Sequence, residues 1–290
     1  MDLASYEQFT SELHDRLAAD PRVLGLLALG STADASCRDR WSDHDFWVIT
    51  EAGAQEPYLN GTAWLPRPEA ILLRVRHGRS YRTVLYRDGH QVEFAVFEPS
   101  EALQGKMERF AILMDRGGLR ALAESVCERT RRERQTALAW PDQFANFCAL
   151  LVTACARFQR GEFLSARRYI DCFAVDNLLN LVLAHEGLAP EESDRLDPRR
   201  RLEQLRPTLA GELLRGLAQP VPQAALALLQ LAEREVAARA PQLPWAEARQ
   251  VRAWLQACVA GTAAEPRRCT GEKAEVPPKG TIVVPMGGTP

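Results

Sequence analysis

The sequence predicts an α+β protein: a strand-rich first part, residues 1–118, then a helical second part, residues 119–261, and a tail, residues 262–290. Three observations predict this. Up to Asp115 the apolar residues come largely in short runs rich in β-branched and aromatic side chains, punctuated by Gly, Pro, Asn and Asp. After Pro141 they fall into long stripes at helical spacing. From Gly261 onward Pro266, Pro277, Pro278, Pro285 and Pro290 are scattered among glycines, a composition expected of a disordered terminus. At 290 residues and 46% hydrophobic, the chain is long enough for two modest domains with cores of their own.

The first part is justified element by element. Leu3, Tyr6, Phe9, Leu13 and Leu17 stand at helical spacing, and Pro21 ends the helix they define. Val23 to Leu29 is an apolar strand that stops at Gly30-Ser31, where a short helix is expected, and Asp43 to Thr50 reads as a second strand. Residues 51–79 are irregular, with Pro57, Pro66 and Pro68, a turn signal at Asn60-Gly61 and a short strand at Ile71 to Arg76. Tyr81 to Arg87 and Gln91 to Phe97 alternate on either side of Asp88-Gly89, a hairpin signal. Phe110 to Asp115 is one more strand before Arg116-Gly117-Gly118, and Leu119 to Leu138 is a heavily charged helix.

In the second part Phe144, Phe147, Cys148, Leu151, Val152, Cys155 and Phe158 trace one apolar stripe; Ile170, Phe173, Ala174, Leu178, Leu181 and Val182 trace another. Arg199 to Leu217, Pro222 to Arg239 and Trp245 to Ala260 read as further helices, parted by Pro220, Pro241 and Pro244. In the tail, Thr281-Ile282-Val283-Val284 is the one apolar run, either an unpacked terminus or an addition to a sheet edge.

The candidate chemistry lies in residues 29–50. A strand that ends at Gly30-Ser31 before a short helix leaves backbone N–H groups free, an arrangement that suits a phosphate. On the following strand Asp43 and Asp45 share one face, while His44 and Phe46 point the other way. Two carboxylates on one face either mark a solvated strand end or hold a hard cation such as Mg²⁺. Glu93, in Gln91-Val92-Glu93-Phe94-Ala95-Val96, is a carboxylate among apolar neighbours; it belongs on a solvated sheet face or beside a metal or a substrate hydroxyl.

The order strand, Gly-Ser, short helix, loop, Ser-Asp-x-Asp, apolar strand resembles the polymerase-β-like nucleotidyltransferases. Within that superfamily, Gly30-Ser31 through Trp41-Ser42-Asp43-His44-Asp45 is similar to the enzymes that adenylylate aminoglycoside or lincosamide antibiotics. The resemblance implies a nucleotidyltransferase domain with a mixed sheet at residues 1–118, followed by an all-α bundle at 119–261. It also implies that Asp43 and Asp45 bind one or two Mg²⁺ ions and that Gly30 and Ser31 bind the phosphates of ATP or another NTP. Glu93 matches the family's third carboxylate, as base or as metal ligand, and AMP would pass to a hydroxyl of a small acceptor. Alternative acceptors are protein side chains, as in toxin-antitoxin nucleotidyltransferases, and a non-catalytic nucleotide-binding module is a further alternative. The chain departs from the family at His44, where an aliphatic residue is usual; its face predicts a hydrogen-bonded core histidine. Glu162, Asp171 or Asp176 are candidates to line a cationic acceptor, and Arg157, Arg160 or Arg168 either face the triphosphate or are surface arginines. Arg167 and Asp171 are spaced for an i,i+4 surface pair.

Composition narrows the classes. A formal net charge of -2 and a pI near 6.3 give no basic footprint for nucleic acid. Seven cysteines, odd in number and never spaced Cys-x-x-Cys, argue against a zinc site or a disulfide framework and fit a reducing cytoplasm. The N-terminal residues show no signal peptide, and the longest uncharged stretch, Phe144 to Ala156, is too short to cross a bilayer. A cytoplasmic monomer or homodimer is expected.

Overall fold

The computed structural model describes residues 2–135, 139–185 and 197–261; the tail at 262–290, with Thr281 to Val284, lies outside the described residues. The chain divides into two units, Met1–Ala137 and Leu138–Pro290.

The first unit begins with α1 (Leu3–Ala18), whose N-cap Asp2 accepts the Ser5 amide. Its stripe of Tyr6, Phe9, Leu13 and Leu17 is buried as the periodicity predicts. Then come β1 (Val23–Leu29), the short α2 (Gly30–Ala33), β2 (His44–Thr50), α3 (Glu56–Asn60), β3 (Ile71–His77), β4 (Tyr81–Tyr86), β5 (Gln91–Phe97), α4 (Pro99–Ala102), β6 (Phe110–Asp115) and α5 (Leu119–Gln135). The six strands form one sheet in the order β3-β4-β5-β2-β1-β6. β2 and β5 run parallel and every other neighbouring pair is antiparallel, so the sheet is mixed. Gly89 turns the β4–β5 hairpin at φ 82°, a left-handed conformation that favours glycine.

Strand alternation sorts the core onto two faces. On one, Phe9, Leu13 and Leu17 of α1 cover Leu26, Phe46, Val48, Val84, Phe94 and Val96. On the other, Leu119, Ala123, Val126 and Cys127 of α5 cover Leu27, Trp47, Ile49, Ala95 and Phe97. Composition groups α5 with the helices after it, yet it belongs to the sheet unit, which extends to Ala137 rather than to residue 118. Without α5 the second face of β1, β2 and β5 would stand open; Arg120, Glu124, Glu128, Arg131 and Arg132 are exposed on its outer side.

The second unit contains α6 (Trp140–Gln159), α7 (Phe163–Arg168), α8 (Val175–His185), α9 (Leu202–Leu205), α10 (Pro207–Leu217), α11 (Val221–Val236) and α12 (Trp245–Gly261). Phe144, Phe147, Leu151 and Cys155 of α6 pack with Ile170, Leu178, Leu181 and Val182 and with α11 residues such as Leu228 and Leu229. Phe173, expected in this stripe, is instead 38% exposed. Phe173 lies within a π-turn, Tyr169–Ala174, between α7 and α8, where Ile170 and Ala174 keep to the core. The single helix expected over Arg199 to Leu217 is broken at Arg206, whose backbone the following Pro207 drives out of the helical region. Among the described residues no helix is long and apolar enough to cross a membrane.

Candidate active site at the Gly30 turn

The turn after β1 is held from both sides. Gly30 takes φ +51°, and a Cβ there would lie 3.1 Å from Asp45 Oδ2, so glycine lets the backbone approach this carboxylate. Thr32 Oγ1 accepts the Asp45 amide at 2.9 Å and shares a hydrogen bond of 2.8 Å with the Tyr6 hydroxyl. The same hydroxyl donates to the Asp43 carbonyl at 2.8 Å. Burial pushes the Tyr6 phenol up to about 12, so it stays a protonated donor. Arg38 lies over the Tyr6 ring at 4.7 Å and donates to the carbonyls of Ser31 and Thr32, with Glu7 of α1 as its ion-pair partner. Asp34 accepts from the Ser36 amide and hydroxyl and closes the loop that follows.

The candidate carboxylates are arranged around this turn. In the sheet register Leu29 is opposite Asp45, Asp45 opposite Glu93, and Glu93 opposite Thr83, a single row across β1, β2, β5 and β4. Asp45 and Glu93 are therefore neighbours on one face, the face whose core contains Trp47, Ile49, Ala95 and Phe97. Asp43 immediately precedes β2 and is half-buried, its carbonyl fixed by Tyr6. Glu93 is exposed; its Oε1 accepts from Gln91 Nε2 at 2.8 Å and from Thr83 Oγ1 at 3.5 Å, which directs the carboxylate toward β4 and away from β2. The backbone brings the predicted residues to one place, but the side chains of Asp43, Asp45 and Glu93 are not gathered into one ligand set. Among the described residues no three His, Cys, Asp or Glu side chains are grouped closely enough to hold a metal ion.

Two local features match a phosphate and a hard cation. The Ser31 hydroxyl lies in a residue 3% exposed and has no hydrogen-bond partner within bonding geometry among the described residues; the Tyr6 hydroxyl beside it is already committed to Thr32 and the Asp43 carbonyl. An unsatisfied buried hydroxyl beside a glycine turn is costly unless a ligand completes it. The oxygen-only side chains of Asp43 and Asp45 are the donor chemistry that Mg²⁺ takes.

His44 is the core histidine its face predicts. It is fully buried, stacks on Tyr6 at 3.6 Å, bonds Thr10 Oγ1 through Nε2 at 2.9 Å, and meets His90 Nε2 through Nδ1 at 2.8 Å. Burial, and then His90, push its pKa down to about 2, and burial pushes His90 down to about 4. Sequence reasoning missed Tyr6, Thr32, Arg38 and His90 as supports of the turn. Tyr6 carried a signal, a hydroxyl on an otherwise apolar helix stripe, but nothing local says where that hydroxyl reaches.

In the helical unit the residues weighed for substrate contact have partners of their own. Arg157 bonds Ser165 and Glu162 and lies over Tyr169, Arg160 bonds Glu162, and Arg168 lies over Phe173. Asp171 pairs with Arg167, the expected i,i+4 pair, and Asp176 with Arg199, each at 2.7 Å.

No protein-family model matches the chain, and no curated protein matches it. Among solved structures it is similar to a nucleotidyltransferase-like protein from Exiguobacterium sibiricum 255-15, at 18% identity over 81% of this chain and 77% of that one, with a TM-score of 0.35. It is also similar to an aminoglycoside 6-adenyltransferase from Bacillus subtilis, at 12% identity over 87% of this chain and 97% of that one, with a TM-score of 0.32. A third likeness is to a CdnC:HORMA-deltaN complex of E. coli MS115-1, at 14% identity over 89% of each chain, with a TM-score of 0.27. None of the three superposes closely.

Proposed function

We propose that the chain is a Mg²⁺-dependent nucleotidyltransferase of the polymerase-β-like kind, acting in the cytoplasm. It moves a nucleoside monophosphate, AMP from ATP, to a hydroxyl of a small molecule such as an aminoglycoside or lincosamide antibiotic. The observation that carries this reading is the junction of the Gly30-Ser31 turn with Asp45, with Glu93 in register on the adjacent parallel strand. The Gly-Ser, Ser-Asp-x-Asp order of the sequence supports the same reading.

In this account the Ser31 hydroxyl and the backbone at Gly30 hold phosphate oxygens of the nucleotide. Asp43 and Asp45 hold Mg²⁺, which when bound neutralises the departing pyrophosphate. Glu93 accepts the proton of the acceptor hydroxyl as the new bond from oxygen to the α-phosphorus forms and the bond to the bridging oxygen of pyrophosphate breaks. Gln91 and Thr83 hold the resting Glu93 carboxylate toward β4, and a rotamer change brings it beside Asp45 to act. A positioned base of this sort contributes about 10² to 10⁴ in rate, because a sugar hydroxyl is a weak nucleophile at neutral pH.

The test is incubation of the protein with Mg²⁺, each NTP in turn and a panel of aminoglycosides and lincosamides, with pyrophosphate release as the readout. Pyrophosphate formed only with an acceptor present, and lost in Glu93→Gln, is the expected result. No pyrophosphate with any pair, or label from ATP recovered on protein rather than on the small molecule, refutes the assignment as stated.

A further inference from the structure

The opposite face of the sheet carries a second site. β3 is an edge strand, and its Arg76 stands directly opposite Arg82 of β4, with Arg74 two residues along the same face. Like charges paired across strands destabilise a sheet. The three arginines wall a cavity of about 160 Å³ that is also lined by Asn60 and Thr62 and contains no carboxylate. It adjoins a second cavity of about 370 Å³ that shares Arg76 and Arg82 with it and is also lined by Arg79, Glu56 and Glu101, so the carboxylates stand on the side away from the three arginines' own cavity. Arg82 opposes Phe94, so these cavities lie on the α1 side of the sheet, away from Asp45 and Glu93.

Arg82 is 8% exposed, and every acceptor it finds is an uncharged carbonyl: Leu59, Gly78, Arg79 and Tyr81. Arg74 and Arg76 reach only the carbonyl and the side-chain oxygen of Asn60. Among the described residues none of the three forms an ion pair. Burial and the neighbouring Arg76 lower the Arg82 pKa, with Glu56 opposing them. All three guanidiniums help to close the last turn of α3, Arg82 at the Leu59 carbonyl and Arg74 and Arg76 at Asn60. That role leaves the direct opposition of Arg76 and Arg82 without a carboxylate in the lining of this cavity.

We propose that this cavity binds a tetrahedral oxyanion, the phosphate group of a small molecule, with Arg74 and Arg76 as its fork donors and Arg82 at its base. The adjoining cavity gives room for the body of such a ligand. Guanidinium forks match the geometry of phosphate oxygens, and a dianion cancels the repulsion between Arg76 and Arg82. The inference is independent of the proposed transferase chemistry.

Calorimetric titration of the full chain with inorganic phosphate, at ionic strength held constant with chloride, tests it. A saturable one-to-one isotherm is expected. Loss of a charge-assisted bond weakens it by about tenfold or more in Arg76→Gln, and by more again in the Arg74→Gln, Arg76→Gln pair. Arg76→Lys, which keeps the charge and loses the fork, weakens it as well. Both exposed positions can change without touching the core, and relief of repulsion keeps ligand-free Arg76→Gln at least as stable as the parent. Sulfate in a parallel titration competes with phosphate if recognition is of a tetrahedral oxyanion. No saturable binding, or binding that survives the double variant, overturns the proposal. Binding abolished by Ser31→Ala but not by the arginine variants moves the anion to the Gly30 turn and overturns it equally.

Discussion

Removing one oxygen tests how the turn is built. In Tyr6→Phe the ring keeps its stack on His44 and its place in the α1 stripe, but the hydroxyl that joins Thr32 Oγ1 and the Asp43 carbonyl is lost. Two hydrogen bonds of about 1 kcal/mol each disappear, and the half-buried Asp43 carbonyl loses its donor, which water replaces only in part, so the expected cost is about 2 kcal/mol. Thr32→Val gives up the same contact and also the bond from the Asp45 amide, with little change in shape. If Tyr6 and Thr32 act as one unit, urea unfolding of the two single variants and the double variant gives a coupling energy of about 1 kcal/mol. Residues that do not touch add within about 0.5 kcal/mol. A cycle that closes at that additive level, or a Tyr6→Phe cost below about 0.5 kcal/mol, refutes the view that this hydroxyl fixes the Gly30 turn to β2.

Three further outcomes follow from other contacts. His44 and His90 are neutral in the fold and titrate at about 2 and about 4 there, against about 6.5 when unfolded, so below pH 6.5 the unfolded chain binds protons that the native one does not. Stability is full above pH 6.5 and falls as pH drops toward 4, by up to about 3 kcal/mol from His90 alone; unfolding measured from pH 7.5 to 4 checks the slope, which His90→Gln flattens. Glu93→Gln lowers kcat about 10² to 10⁴-fold in the pyrophosphate assay, and its denaturation midpoint stays put because the side chain is exposed. Gly105→Ala drives a Cβ to within 2.3 Å of the Trp47 ring, an overpacking that costs about 1 to 3 kcal/mol in thermal or urea unfolding.

Local pattern made much of the first unit legible. Val23–Leu29, Gln91–Phe97 and Phe110–Asp115 begin and end where alternation and turn residues place them, since a strand with one face buried against each layer must write its period into the sequence. What could not be read is what depends on pairing at a distance. No local signal says that β5 lies parallel to β2, or that α5, charged along much of its length, supplies the cover for Trp47 and Ala95. Phe173 sits in the π-turn at Tyr169–Ala174, a local departure from α-helical geometry that no apolar pattern announces, and it is exposed although its spacing predicts burial.

The same division explains the candidate site. Alternation alone puts Glu93 on the face opposite Val92 and Phe94, but only the parallel register of β2 and β5 sets it beside Asp45 rather than one residue up or down the sheet. A slip of one residue would turn Glu93 to the α1 face, where Phe9, Leu13 and Phe46 would leave a carboxylate without a partner. The apolar pattern that buries Phe94 and Val96 therefore also fixes the acidic row. The Gly30 turn is then tied to that row by Thr32 and Tyr6, which bond the β2 backbone at Asp45 and the Asp43 carbonyl that precedes it. Core packing thus sets where the acids stand, and the choice between Asp45 and Thr83 as the neighbour that the Glu93 side chain faces is left to rotamers, which cost far less to change than strand register.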